Sequence, residues 1–146
     1  MKCLVDIALH AKGLNASGAQ PTGKWTLPMI CDHLAKAMTG STGVLGPGPA
    51  TKPAPLFHQM VGRLVVMKIG FVPGGIKSPE RVLPRADVCF DDAIQSLEAA
   101  IAMCEQKTKS GEPWLVHPLL GFSDARSWER FHLVHAKHHF AKLRTR

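Results

Sequence analysis

Apolar positions along this chain recur every three or four residues rather than every second one, a helical rhythm and not a strand rhythm. The clearest stretch is KWTLPMICDHLAKAM, in which Leu27, Ile30, Cys31, Leu34 and Met38 line one face. Thr26 stands as a natural N-cap, Pro28 falls in the first turn, and Trp25 and Ile30 take the two positions of a hydrophobic staple; a helix is predicted from there to Gly40. Further on, Phe90, Ile94, Leu97, Ile101 and Cys104 alternate spacings of four and three within residues 88–107, the narrow seam that a bundle helix presents to its neighbours. LFHQMVGRLVVMKI, residues 56–69, is apolar on most sides and predicts a buried helix. Residues 3–12 predict a short first helix ended by Gly13, and the last helix is predicted from Ser123 as N-cap to Leu143.

Gly and Pro punctuate these helices. Residues 40–55 hold four Gly and four Pro and read as a loop. GFVPGGIKSPERVLPRA is a second such connection, long enough to shape a pocket rim, and KSGEPWLVHPLLGFS is a turn-rich crossing. There is no internal repeat and no alternating strand ladder. The expected architecture is all-α: an up-and-down four-helix bundle with a short N-terminal helix and Gly/Pro-rich connections, forming a single domain over residues 1–146.

Composition adds limits to this picture. A chain of 146 residues with 45% hydrophobic and 20% charged residues has the profile of an ordinary soluble domain. The formal charge of +7 permits acidic partners, but Lys and Arg occur singly or in pairs except in the closing AKLRTR. That tail reads as a solvated terminus, which leaves a nucleic-acid binder using Lys137, Lys142, Arg144 and Arg146 the least favoured class. Cys3, Cys31, Cys89 and Cys104 are scattered without a CxxC, as expected of reduced thiols in the cytoplasm. Asp6 and His10 interrupt the N-terminal apolar run, so it fails as a signal peptide, and no stretch approaches the roughly 20 apolar residues that cross a membrane.

The candidate chemistry lies in RFHLVHAKHHF. At about 100° per residue, His139 lies about 20°, Trp128 about 40° and His135 about 60° from His132, whereas His138 falls about 120° away on the shoulder. A histidine stripe facing solvent would be a pH-sensitive polar face of no special use. Trp128 shares this stripe, which predicts that it turns inward, where each imidazole needs a partner: backbone, water or a metal ion. His135 and His139, at i and i+4, have the geometry of helical zinc sites, although HxxxH alone is a weak signal. A third ligand would have to come from another helix, and His33, about 60° from Ile30 on the flank of its apolar face, is the best placed. No general base stands out: the chain has no Tyr, Asp32 points about 100° from His33, Glu129 is off the stripe, and Cys31 points about 160° from His33, although either carboxylate could orient a ligand from a neighbouring helix.

Taken in order, GKWTLPMICDHLAKAM and the later HPLLGFSDARSWERFHLVHAKHHF resemble the DinB-like metalloenzyme superfamily. More narrowly they resemble an uncharacterised bacterial branch with a W-[ST]-L…HLA segment and a closing HP-x-x-G…W-x-x-x-H-x-x-H-x-x-x-H segment. The resemblance runs from Trp25 to near the end and takes in GRLVVMKIGFVPGGIKSP. It implies a four-helix bundle holding a divalent ion, Zn or Ni, through His33, His135 and His139. It further implies a metal-dependent hydrolase or thiol-dependent transferase that uses a low-molecular-weight thiol on a small-molecule substrate, with a homodimer as a common state; a non-catalytic metal-binding or structural bundle is the alternative. His132 and His117 match further family positions, His132 as a donor behind the ligands or as an alternative ligand. Two departures stand out: the first helix is short beside the family's, as if part of it lay outside this chain, and Arg126 takes the place of an acidic capping-box residue.

Overall fold

In a computed structural model, which describes residues 1–44, 54–70 and 78–145, the chain is mostly helical and forms an all-α bundle. Its helices are α1 (Val5–Ala16), α2 (Leu27–Thr42), α3 (Leu56–Arg63), α4 (Phe90–Ser110) and α5 (Ala125–Phe140). The core lies between α1, α2, α4 and α5. Every apolar position that periodicity marks on α2, from Leu27 to Met38, is buried. So are Ile94, Leu97, Ile101 and Cys104 on α4, while Phe90 is half-buried at its start.

The helix boundaries differ from expectation in an instructive way. Gly13 and Gly40 do not end helices; α1 continues to Ala16 and α2 to Thr42. A Gly inside a helix costs only about 1 kcal/mol, which tertiary packing offsets. The stop for α2 comes at Gly43, whose φ of +83° is the left-handed turn that releases the last carbonyls. Thr26 has the extended backbone of an N-cap, but its hydroxyl makes no capping bond. At α5 the cap is Asp124 and not Ser123: its carboxylate accepts from the Ser127 amide at 2.8 Å. The capping register is therefore shifted by one, and Arg126 is not the residue that would complete a box. The helix ends at Phe140, because Leu143–Arg144 leaves it to pair antiparallel with Gln20–Pro21. This two-residue ladder, extended by the Thr22 amide donating to Lys142 O at 2.8 Å, ties the tail to the α1–α2 link and is the one sheet among the described residues.

The stretch 56–69 corrects the expectation of a buried third bundle helix. It does form α3 and continues in wider π turns over Leu64–Ile69, but Leu56, Phe57, Met60, Val61, Leu64 and Ile69 are exposed and Val66 alone is buried. The reason is geometric: the other four helices close the core on one another, so this segment lies outside and rests on α5. Arg130 Nε donates to Met67 O at 3.2 Å across that contact. Gly62 permits close approach, since a Cβ there would meet Leu120 Cδ2 at 2.8 Å. Of the Gly/Pro-rich loop read at 40–55, residues 45–53 lie outside the described residues, as do 71–77 of the second connection.

Candidate metal centre

The bundle packing of α2 against α5 brings His33 to His135 and His139. One ring nitrogen from each lies within 4.8 Å of the other two. His33 Nε2 is 3.2 Å and His139 Nε2 3.0 Å from His135 Nε2, so the three rings converge through the same type of atom. The helix sets the pair on α5, where residues four apart share a face. His33 is set by its neighbours: its Nδ1 donates to Val82 O at 2.6 Å, in the short turn Glu80–Val82. With the proton on Nδ1, the Nε2 lone pair of His33 points into the cluster, the tautomer a ligand needs.

A second set of contacts holds that turn in place. Asp32 is buried and accepts from the Arg85 amide at 2.9 Å and from Arg85 Nε at 3.2 Å. Lys36 lies 2.8 Å from the same carboxylate and also donates to Leu83 O at 2.8 Å. Burial pushes the Asp32 carboxyl up, but Lys36 and Arg85 outweigh it and hold it below the usual carboxylate range. Asp32, read in the sequence as a candidate orienter of a ligand on another helix, thus acts through the turn beside its own neighbour His33, and the group that touches His33 is a main-chain carbonyl that no sequence pattern marks.

Burial sets the electrostatics of the cluster. Removal from water keeps all three histidines neutral: His33 and His135 fall below the usual imidazole range, His135 well below, and His139 falls to about 3. Neutral imidazoles with convergent lone pairs are a donor set for a borderline ion such as Zn²⁺ or Ni²⁺. Trp25 roofs the site, its ring 4.8 Å from His33 and stacked 5.3 Å from His139. Phe131 forms a side wall 5.4 Å from His135.

His132 and His117 do not join the three. His132 Nε2 lies 3.0 Å from Ser41 Oγ, deep in the core, with its ring stacked 5.4 Å from Trp128. His117 builds its own turn: Nδ1 accepts from the amides of Leu119 and Leu120, each at 3.2 Å, and Gly121 closes the loop with φ +66°. The inward stripe is thus real, but its members differ in what they touch. His138, on the shoulder, is half-buried, as is His135, and it is set apart by lying outside the cluster of three rather than by exposure. Ser41 escapes a reading that stops α2 at Gly40, and Trp25 is legible as a staple but not as a roof.

The cysteines are all free, with Cys31 and Cys104 buried and Cys3 and Cys89 exposed. Burial pushes the Cys31 thiol up to about 12, far from nucleophilic range. Among the described residues no helix is long and apolar enough to cross a membrane.

A family model described as "Protein of unknown function (DUF1569)" matches residues 2–146. No curated protein and no solved structure matches the chain.

Proposed function

The chain belongs to the DUF1569 family, and we propose that it is a divalent-metal-dependent enzyme of the DinB-like type, a hydrolase or thiol-dependent transferase acting on a small molecule. The observation that carries this reading is the convergence of three neutral Nε2 atoms, from His33 and His139, which are buried, and from His135, which is half-buried. These three would hold the ion, with Zn or Ni favoured by an all-imidazole donor set. When bound, such an ion supplies Lewis acidity, polarising an electrophile or lowering the pKa of a thiol or water at its open position.

The remaining roles fall to the chain's own residues. Val82 O and the Asp32 clamp hold His33 in the ligating tautomer. Trp25 and Phe131 flank the ligands with apolar rings, and the lower dielectric of such a surrounding would strengthen each electrostatic contact with a substrate. Among the described residues proton transfer has no ready side chain: Asp32 is committed to Lys36 and Arg85, and Glu129 is exposed. A substrate that brings its own acidic proton, such as a low-molecular-weight thiol, suits this site. The same observation favours a second reading, a metal-binding bundle that does not turn over.

Metal analysis of protein purified without a His-tag tests the site, with His33→Ala and His139→Ala beside wild type. The proposal expects near-stoichiometric metal in wild type and little in either variant; equal content in all three removes it. Assay of the loaded protein against electrophiles with a panel of low-molecular-weight thiols then separates enzyme from binder.

A further inference from the structure

We propose that His132 is a positioning residue for His135, the two rings being joined through one buried water molecule that bridges their Nδ1 atoms. The inference rests on the reading of His33, His135 and His139 as a metal site.

It starts from a proton count at Ser41. The Ser41 hydroxyl has a single proton and donates it to Met38 O at 2.6 Å. Its 3.0 Å contact with His132 Nε2 must then run the other way, with His132 Nε2–H donating and Ser41 Oγ accepting. A neutral imidazole protonated on Nε2 has a bare lone pair on Nδ1. That atom is buried and has no partner. His135 Nδ1 is in the same condition, and among the described residues these are the two buried side-chain polar atoms so placed. Left unpaired, each carries the full desolvation penalty of a buried polar atom.

The two atoms are chemically complementary. If His135 ligates through Nε2, which faces His33 and His139, its proton resides on Nδ1 and makes that atom a donor. His132 Nδ1 is an acceptor. The two residues lie three apart on α5, one turn along the same face. A water between them accepts from His135 and donates to His132. Without metal, His135 can carry its proton on Nε2 and donate to His33 or His139; the same water then turns and donates to both Nδ1 atoms. The arrangement therefore satisfies both states and couples the tautomer of a ligand to Ser41, on the neighbouring helix α2.

Imidazole-ring ¹⁵N–¹H correlation on the full chain, before and after zinc addition, reads the tautomers directly. The expected result is His132 protonated on Nε2 throughout, with the His135 proton moving from Nε2 to Nδ1 as zinc binds. Finding His132 protonated on Nδ1 would overturn the proposal. Zinc affinity by chelator competition gives a second readout. His132→Phe keeps the aromatic bulk and loses the acceptor, and should weaken zinc binding about tenfold or more. His132→Asn places an amide oxygen near the former Nδ1 and should restore most of the affinity. A folded His132→Phe variant that binds zinc as wild type does sinks this inference alone, whereas a wild type that takes up no zinc sinks the metal reading and this inference with it. Should both variants misfold, the wild-type tautomers still decide.

Discussion

His33 Nε2 and His135 Nε2 stand 3.2 Å apart although 102 positions separate the residues in the chain. Two lone-pair nitrogens at that distance gain from sharing a proton or a cation and otherwise lose, so a bound ion should stabilise the fold. At a free zinc concentration 100 times Kd, the added stability is about 2.7 kcal/mol. For a chain of this size that corresponds to a rise of roughly 5–10 °C in Tm. Differential scanning fluorimetry with and without zinc checks this, and His139→Ala should abolish the rise.

Asp32→Asn should weaken metal binding without touching a ligand. The change removes the charge that gathers Lys36 and Arg85 and thereby frees the turn carrying Val82 O. Because the Arg85 and Lys36 side chains are 51% and 31% exposed, neither becomes a buried unpaired charge. The stability cost should therefore be modest, about 1–2 kcal/mol, below the cost of breaking a fully buried pair. Urea unfolding and zinc competition on the same variant separate the two effects.

Acid should destabilise the metal-free protein before carboxylates titrate. Burial depresses His132 to about 3 and His117 to about 4 in the folded chain, against about 6.5 when unfolded. The unfolded chain thus binds more protons over that window. The stability these neutral rings contribute is complete above pH 6.5 and is lost as the pH falls toward the folded values, at up to about 1.4 kcal/mol per pH unit for each ring. Urea midpoints measured between pH 7.5 and 4.5 should fall steadily; a flat profile would contradict the buried-neutral assignment.

Trp25 should report on the site optically. Of the three tryptophans it alone stacks on candidate ligands, while Trp114 and Trp128 are buried against each other. Zinc titration should change the intrinsic fluorescence of wild type, and Trp25→Phe should remove most of that change while leaving the affinity within a few-fold. An unchanged signal in Trp25→Phe would mean that the reporter lies elsewhere.

How much of this was legible before folding depended on the kind of interaction. The apolar faces of α2 and α4 were legible because periodicity encodes burial, and the HxxxH pair because helix geometry is rigid. The pairing of His33 with it was legible in part from position, since His33 stands on the flank of the apolar face of α2 within reach of the bundle interior, and the resemblance implied the same three residues. The position of residues 56–69 was not legible: an apolar segment carries no mark of whether the other helices leave room for it. Val82 O was invisible because main-chain groups are the same in every residue. Caps were misplaced by a residue or more at Ser123, Gly13 and Gly40, where several polar or small residues compete and long-range packing selects among them.

Two of the three candidate ligands come from one turn of α5, and the third comes alone from α2. The bite of the pair is a property of the α-helix itself, nearly immune to changes elsewhere in the chain. The reach of His33 is set by the distance between two packed helices, which any substitution in the intervening core can adjust by fractions of an ångström. With an ion held by these three, preference among ions of different radius would be governed by a single adjustable span, open to drift in evolution through apolar residues that never meet the ion.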